Sequence, residues 1–266
     1  MGPTEREVAV ITGGSSGLGL AMAHNLAEEG YTTVLLARNP ERLDAAVGSI
    51  REGSGEALGL SCDVTRVEDL KVAADEVRER FGTVRFLVLN AGVVHVGLLT
   101  DFERVEDLKA DLDTDLWGTI LSARMFVPLL TEGAKVLCIS SGFGLMGPAG
   151  YTAYCAAKAG VINFAAALRR ELLVRRISVY VACPPDIDTP QFHQEQASMP
   201  AWMKVAGVRG RPMASEEAAS KILDRCRGNR FLIVINSEIR LLILLNRLLP
   251  LRWANAVLDR MFPRPR

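Results

Sequence analysis

Short apolar runs alternate with amphipathic stretches along most of this chain of 266 residues. The runs are short and rich in β-branched and other apolar residues, which is typical of strands buried on both faces. They are Val8–Ile11, Thr33–Ala37, Leu58–Ser61, Phe86–Leu89, Val136–Ile139, Ile177–Ala182 and Phe231–Ile235. Helical spacing between them predicts an α/β fold, with a parallel sheet covered by helices on both sides.

Several helices are predicted between these strands. Val67–Phe81 has the apolar spacing of an amphipathic helix, and Ser215 is a candidate N-cap for a helix that ends near Cys226. Further helices are predicted for Leu20–Glu29, for the segment crossing Asp111–Leu130 and for the alanine-rich stretch around Tyr154.

Composition excludes several classes of protein. Lys plus Arg and Asp plus Glu both number 31, so the net charge is zero and predicts no binding to nucleic acid. The five cysteines lack CxxC or Cys/His ligand spacing, which favours a reduced, cytoplasmic protein without a metal site. The first strand follows a polar start, Met1–Glu7, so no signal peptide is expected.

The glycine-rich stretch TGGSSGLG, Thr12–Gly19, lies between the first predicted strand and the helix after it. Glycines let the backbone turn tightly and approach a pyrophosphate, while the helix N-terminus offers N–H groups and a positive dipole. We therefore predict a dinucleotide site here. Its candidate contacts are Gly13, Ser15, Ser16, Gly17, Leu18 and Gly19.

The end of the second strand indicates which dinucleotide binds. An acid there would bind the ribose hydroxyls of NAD, but the chain has Arg38, with Arg42 one turn later. Two arginines favour the 2′-phosphate of NADP(H); the alternative is that both are solvated residues at the start of a helix. Further candidate cofactor contacts follow the third and fourth strands: Asp63 at the adenine edge, Val64, Asn90, Ala91 and Gly92.

A hydroxyl, a phenol and an ammonium follow the fifth predicted strand. Tyr154 and Lys158 are four residues apart and share one helix face, so the ammonium is expected to lower the pKa of the phenol. Ser141 ends the strand thirteen residues before the tyrosine, where its hydroxyl can hydrogen-bond a carbonyl oxygen as charge develops. The alternative is a surface tyrosine and lysine on an ordinary helix.

The motifs TGGSSGLG, LNAG, Ser141 and YxxxK stand in the order and spacing of the short-chain dehydrogenase/reductase family, which the chain resembles from Val8 to Ile235. The resemblance implies a Rossmann-type, doubly wound parallel sheet of seven strands in one domain. It also implies hydride transfer between a nicotinamide and an alcohol or ketone. Tyr154 would be the general acid, Lys158 would bind the nicotinamide ribose and Ser141 would orient the carbonyl.

One residue departs from the family pattern. Asp115 stands where the family commonly has an Asn that helps to hold a water of the proton relay. A carboxylate accepts the same hydrogen bond but donates none, and its charge near Lys158 would oppose ionisation of Tyr154. The alternative is that Asp115 faces a water-filled channel and changes the rate little.

A narrower resemblance follows the sixth strand. The segment CPPDIDTPQF, with GYTAYCAAK before it, resembles the 3-ketodihydrosphingosine reductases. This implies NADPH-dependent reduction of a long-chain 3-keto sphingoid base, with Pro184, Ile187 and Thr189 at the nicotinamide. Residues 190–213 are apolar without sharp periodicity, as expected of a lid over an apolar substrate. The alternatives are a reductase of a steroid, retinoid or 3-oxoacyl ketone, and a non-catalytic nucleotide sensor.

The last segment is apolar and basic. We assign residues 1–237 to the reductase domain and 238–266 to a tail, whose apolar run is too short to span a bilayer. The tail is expected to lie on the cytoplasmic face of a membrane, to cover the substrate or to join subunits. Small residues on the Tyr154 helix suit the dimers or tetramers that the family resemblance implies.

Overall fold

A parallel sheet of seven strands lies at the centre of the computed structural model, which describes residues 7–204 and 211–261. Two further strands form a separate small sheet. In chain order the strands are β1 (Val8–Thr12), β2 (Thr32–Ala37), β3 (Glu56–Ser61), β4 (Val84–Leu89), β5 (Leu130–Ile139), β6 (Ser178–Ala182), β7 (Ile187–Asp188), β8 (Met213–Ala214) and β9 (Leu232–Ile233). The order across the main sheet is β3-β2-β1-β4-β5-β6-β9, and β7 pairs with β8. The predicted fold class is therefore confirmed.

Helices connect the strands and cover both faces of the sheet. They are α1 (Gly17–Glu28), α2 (Pro40–Glu52), α3 (Val67–Phe81), α4 (Val105–Asp111), α5 (Gly118–Phe126), α6 (Thr152–Leu172), α7 (Pro190–Ser198), α8 (Ala201–Lys204), α9 (Ser215–Arg225), α10 (Ser237–Leu248) and α11 (Leu251–Met261). One core layer lies between the sheet and α1, α2 and α9, and the other lies between the sheet and α3, α5 and α6. Every residue of β1 and β2 is buried, as the continuous apolar runs predict.

The order of the strands in the sheet determines where a ligand site can lie. The chain winds outward from β1 to β2 and β3 on one side, then returns to β4 on the other side of β1. The connections that leave β1 and β4 therefore diverge, and a crevice opens at the carboxyl ends of these strands. Ligands of doubly wound sheets bind in this crevice.

The predicted helix crossing Asp111–Leu130 is divided. A wider turn, a π-helix at Leu112–Trp117, separates α4 from α5, and a 3₁₀ turn at Val127–Leu129 follows α5. Pro128 lies in that turn and has no N–H to continue the helix. The π-turn contains Asp115, and such turns are frequent at functional sites.

Ser215 does not cap α9. Ala214 occupies the N-cap position, and the Ser215 hydroxyl donates instead to the Asp188 carbonyl at 2.8 Å. This hydrogen bond joins the first residue of α9 to β7. The N-cap prediction was wrong because the helix begins at Ser215 itself, one position after the N-cap.

The tail forms α10 and α11, and α10 is apolar on two sides. Ile239 is buried in a cluster with Cys183 and Val234, against which Ile243 also packs. Leu241, Leu244 and Leu248 are 57, 52 and 72% exposed. Over the described residues, no helix combines the length and the apolar composition needed to cross a membrane.

Candidate active site

A cavity of about 460 Å³ opens at the carboxyl ends of the central strands. It brings together nearly all of the residues that the sequence singles out. The predicted residues that line it are Gly13, Ser15, Ser16, Gly17, Leu18, Arg38, Arg42, Asp63, Val64, Asn90, Ala91, Gly92, Ser141, Tyr154, Lys158, Pro184, Ile187 and Thr189. Gly19 and Asp115 lie behind its wall.

The glycines of the first turn are required by packing within the chain. Gly13 has a φ of +65°, and a Cβ on Gly19 would lie 2.3 Å from the Gly13 carbonyl oxygen. Gly19 therefore lets α1 approach the turn. Gly19 itself does not line the cavity, although the sequence predicted it as a cofactor contact. Ser16 makes no side-chain cap to α1, so the first N–H groups of the helix are available to an anionic ligand. This cradle fits a dinucleotide phosphate.

The two turns that flank the crevice are tied together. Thr12 Oγ1 accepts from the N–H groups of Asn90 and Ala91, at 2.9 and 3.1 Å. The Asn90 side chain donates in return to the carbonyls of Thr12 and Gly13, at 3.1 and 3.2 Å. Asn90 therefore stabilises the floor of the crevice, and its amide is engaged by the chain itself.

Arg38 and Arg42 are exposed at the rim of the cavity. Asn39, between them, caps α2 by accepting from the Arg42 N–H at 2.8 Å. The backbone is thus held by the cap while both guanidinium groups stay at the surface. Asp63, farther along the rim, accepts from the Thr65 N–H and hydroxyl through one oxygen, at 2.9 and 2.8 Å. Asp63 is thereby held at the rim of the cavity.

Ser141 and Tyr154 meet deeper in the cavity. Ser141 follows β5, and its Oγ accepts from the Phe143 N–H at 3.1 Å. Tyr154 lies in the first turn of α6, and its phenol is hydrogen-bonded to the Ser141 side chain. The two hydroxyls can therefore contact one carbonyl oxygen together.

Lys158 lies one turn further along α6 and is 4% exposed. Its Nζ is 5.5 Å from the centroid of the Tyr154 ring and donates to the Ile139 carbonyl at 3.3 Å. It also forms an ion pair with Asp115, with 3.0 Å between Nζ and Oδ2. The other oxygen of Asp115 accepts from the Val93 N–H at 2.7 Å. The lysine charge is therefore compensated inside the protein.

The pKa of the Tyr154 phenol is raised, whereas the sequence predicted that it would be lowered. Burial, followed by the negative charge of Asp115, raises the pKa of the phenol well above its usual value, and only the hydrogen bond to Ser141 acts in the other direction among the main causes. The expected lowering was wrong, because burial and then the negative charge of Asp115 raise the pKa of the phenol. The predicted opposing effect of Asp115 is confirmed. Burial also raises the pKa of Asp115 itself, against the effect of Lys158.

Two pairs at the cavity escaped the sequence analysis. His95 lines the cavity, and its Nδ1 lies 2.7 Å from Oδ1 of the buried Asp111. Burial raises the pKa of Asp111 to about 6. Tyr151 donates to Glu195 of α7 at 2.5 Å, and both line the cavity. Tyr151 is the N-cap residue of α6, and its place three residues before Tyr154 was the signal for it in the sequence.

The segment after β6 closes the other wall. The Pro184 carbonyl accepts from the Gly142 N–H at 3.1 Å, and Ile187 pairs with Met213 in the small sheet. Thr189 caps α7, with its Oγ1 accepting from the Phe192 N–H at 3.1 Å. The base of the predicted lid, residues 190–213, is thereby fixed. Residues 205–210 of that lid lie outside the described part of the chain.

Comparison with known families places these motifs in context. The family model described as short chain dehydrogenase matches residues 7–200. A human 3-oxoacyl-[acyl-carrier-protein] reductase is 35% identical over 185 residues, which is 69% of this chain and 76% of that protein. A 3-dehydrosphinganine reductase of Arabidopsis thaliana is 34% identical over 242 residues, 89% of this chain and 73% of that protein.

A solved structure shares the architecture. A variant actinorhodin polyketide ketoreductase, crystallised with NADPH, superposes with a TM-score of 0.80 at 26% sequence identity. The match covers 90% of this chain and 99% of that one. The likeness thus extends over most of the chain, beyond the individual motifs.

Proposed function

Because the chain belongs to the short-chain dehydrogenase family, whose members are oxidoreductases of ketones and alcohols, we propose that it is an NADPH-dependent reductase of a long-chain 3-keto sphingoid base. The reaction reduces 3-ketodihydrosphingosine to dihydrosphingosine. The observation that carries the proposal is the segment CPPDIDTPQF, of which every residue from Pro184 to Phe192 except Asp188 lines the cavity that Tyr154 also lines.

The choice of NADP(H) rests on the rim of the cavity. Arg38 and Arg42 are exposed there, at the carboxyl end of β2, where a 2′-phosphate would lie. Guanidinium groups bind phosphate through paired charge-assisted hydrogen bonds. The structural relative with NADPH supports the same cofactor.

The chemistry follows from the cavity. NADPH, when bound, supplies the hydride to the carbonyl carbon. Ser141 hydrogen-bonds the carbonyl oxygen, and Tyr154 gives that oxygen its proton. Because burial and Asp115 raise the pKa of Tyr154, the phenol is protonated at neutral pH, which suits donation and therefore reduction. Lys158 is fixed by its ion pair with Asp115 and would hold a ribose hydroxyl of the cofactor.

The share of this chain that each relative matches favours the sphingoid substrate. The plant 3-dehydrosphinganine reductase matches 89% of this chain, and the human 3-oxoacyl reductase matches 69%. The lid contributes apolar side chains, including Phe192 at the cavity and Met203, whose sulfur lies close to Gly150. An apolar lid suits a long alkyl chain.

The 3-oxoacyl thioesters form the competing substrate class, because the identity to the human 3-oxoacyl reductase is similar at 35%. Reduction of such a ketone would use Ser141, Tyr154 and Lys158 in the same way. A non-catalytic nucleotide sensor would bind NADPH and reduce neither substrate.

The test is NADPH oxidation by the purified chain. The substrates are 3-ketodihydrosphingosine, a 3-oxoacyl thioester, a steroid ketone and a retinoid aldehyde. We expect the highest kcat/KM with 3-ketodihydrosphingosine. A higher kcat/KM with the thioester would assign the chain to the competing class, and NADPH binding without turnover of any ketone would make it a sensor.

A further inference from the structure

One histidine of the cavity has no role in the chemistry described above. His95 follows β4 and lines the cavity, and its side chain is 36% exposed. It belongs neither to the glycine-rich turn nor to the arginine rim, where the phosphates of a dinucleotide would lie. Imidazole nitrogens donate or accept hydrogen bonds according to their protonation, so this side chain can recognise a polar group of a ligand.

The chain before His95 is fixed beside the helix that carries Tyr154. Val93 donates its N–H to Asp115 at 2.7 Å, and Asp115 forms the ion pair with Lys158. A Cβ on the preceding glycine, residue 92, would lie 3.2 Å from the Lys158 Nζ, so the backbone passes close to that ammonium. His95 therefore follows a segment that lies against the catalytic end of α6.

The chain after His95 is fixed beside the lid. Gly97 donates its N–H to the Gly150 carbonyl at 3.0 Å, in the loop that precedes α6. Gly150 lies against α8 of the lid, because a Cβ placed on it would be 2.7 Å from the Met203 sulfur. His95 is thus placed between the catalytic end of α6 and the lid, on the side of the cavity where a substrate would extend.

A buried carboxylate determines which way the imidazole faces. Asp111 is 1% exposed; its Oδ1 lies 2.7 Å from His95 Nδ1, and its Oδ2 accepts from the His95 N–H at 3.4 Å. Burial raises the pKa of Asp111 to about 6, so the carboxylate is ionised at neutral pH and can only accept. Nδ1 therefore carries the proton between them. Within residues 7–204 and 211–261, Nε2 has no hydrogen-bond partner, which leaves it for a ligand of the cavity.

The sphingoid 3-ketone carries a polar group that suits this nitrogen. Its primary hydroxyl is attached two carbons from the carbonyl, at the end of the molecule opposite the alkyl chain. We propose that His95, oriented by Asp111, hydrogen-bonds this hydroxyl through Nε2 and thereby selects long-chain ketones that carry it over ketones that lack it. The inference rests on the proposed function and names the residue that recognises the head of that substrate.

A hydroxyl matches the imidazole in both of its protonation states. Neutral Nε2 accepts from the hydroxyl hydrogen, and protonated Nε2 donates to the hydroxyl oxygen. The ammonium of the same substrate can only donate, and a protonated imidazole would repel it. The carboxylate of Asp111 compensates a positive charge on the ring of His95, which would otherwise be costly in a partly buried site.

The rival role of His95 is structural, in which the imidazole only holds the segment after β4 to α4 through Asp111. His95→Leu removes both ring nitrogens, and His95→Asn returns a side chain that can hydrogen-bond a hydroxyl. His24→Leu makes the same change at a histidine whose ring lies 3.1 Å from the Ser49 hydroxyl, outside the cavity, and serves as the matched control.

Steady-state kinetics compare two 2-amino 3-ketones of equal chain length, 3-ketodihydrosphingosine and its analogue without the 1-hydroxyl. We expect the wild-type chain to prefer the first, and His95→Leu to lower the ratio of the two kcat/KM values by about tenfold. His95→Asn should recover part of the ratio, and His24→Leu should keep the wild-type ratio. Because both values come from one preparation, a smaller fraction of folded enzyme cancels from the ratio.

Asp111→Asn tests the positioning role of the carboxylate. In the wild-type background it should lower the same ratio, because the ring loses its charged acceptor. In a chain that already carries His95→Leu it should leave the ratio unchanged, since the two residues act through one contact with the substrate. A residue that only supports the fold would instead lower both kcat/KM values equally in the two backgrounds.

The outcomes that contradict the inference are distinct from failure of the proposed function. Equal losses on both substrates in His95→Leu would make the histidine a structural support and overturn the inference. A ratio that does not change in His95→Leu, or a wild-type chain that reduces both amino ketones equally well, would overturn it too. If the wild-type chain reduces a 3-oxoacyl thioester and neither amino ketone, the proposed function itself fails.

Discussion

The carboxylate of Asp115 lies 3.0 Å from the ammonium of Lys158, and the two side chains are 0 and 5% exposed. The pair joins the π-turn before α5 to the second turn of α6. Its consequence is electrostatic: after burial, the negative charge of Asp115 is the next largest cause that raises the pKa of Tyr154. Asp115 accordingly acts on the phenol from behind the cavity wall.

Asp115→Asn should move the pH dependence of ketone reduction. Removing the negative charge lowers the pKa of Tyr154 and leaves the Lys158 ammonium uncompensated, which lowers it further. Because reduction needs the protonated phenol, the alkaline limb of the kcat/KM profile should shift to lower pH. Asp113→Asn, two residues earlier and paired with Lys109, is the matched control. A profile identical to wild type would place Asp115 outside the electrostatics of the site.

Tyr154→Phe should reduce turnover by about 10²-fold or more, the usual cost of losing a general acid. The ring and its packing against Tyr151 remain, so NADPH affinity, measured by fluorescence titration, should change little. Tyr180→Phe removes a phenol that donates to the Gly228 carbonyl, outside the cavity, and controls for the loss of a buried hydroxyl. Near wild-type turnover in Tyr154→Phe would exclude the phenol as the proton donor.

The strands could be predicted because each buried strand is a continuous apolar run. The errors were at the ends: β5 begins at Leu130, six residues before the predicted Val136. In the first half of the strand, Glu132 and Gly133 are exposed between the buried Leu130 and Ala134, so no continuous apolar run marks it. Apolar patterning reports burial, and it fails where exposed residues interrupt the buried ones.

The site could be predicted only in part. Gly13, Ser141, Tyr154 and Lys158 are marked by local spacing, which the sequence displays directly. The direction of the Tyr154 pKa depends on burial and on a residue thirty-nine positions away, Asp115, and neither is local. The lid pairing of Glu195 with Tyr151 likewise joins residues forty-four positions apart. Tertiary contacts decided these features.

Arg38→Asp should change cofactor preference. It replaces an attraction to the 2′-phosphate by a repulsion, so NADPH affinity should fall by about tenfold or more, while NADH affinity falls less. Titration with both nucleotides measures the difference. Arg104→Asp, at a residue whose side chain is 71% exposed and does not line the cavity, is the matched control. Equal losses for the two nucleotides would make Arg38 a structural residue.

The tail is expected to bind an anionic membrane surface. Residues 239–266 of the tail contain six arginines and one acidic residue, so this part of the tail carries about five net positive charges. Leu241, Leu244 and Leu248 form an exposed apolar face on α10, and Trp253 on α11 is 58% exposed. Each arginine near an anionic surface contributes about 1 kcal/mol, and the apolar face adds burial in the headgroup region.

The contacts of α10 with the rest of the chain determine which variant can test this prediction. Removing the chain after Ser237 would take Ile239 out of the cluster with Cys183 and Val234, and would lose the 2.8 Å hydrogen bond from Arg240 to the Val234 carbonyl. Serine substitution of the exposed leucines leaves both contacts in place. The variant is Leu241→Ser, Leu244→Ser and Leu248→Ser in one chain; the control is Val72→Ser, Val105→Ser and Val174→Ser, at exposed residues of other elements.

Flotation with liposomes measures the outcome. The intact chain and the valine control should float with anionic vesicles at low salt and dissociate as salt is added, because the attraction is screened. The leucine variant should stay in the soluble fraction. If the intact chain does not float, the apolar face is covered by a second copy of the chain or by the lid. If a second copy covers the face, the leucine variant should have a lower molar mass than the intact chain when measured by light scattering. If the lid covers it, the variant should have a different KM for the lipid ketone.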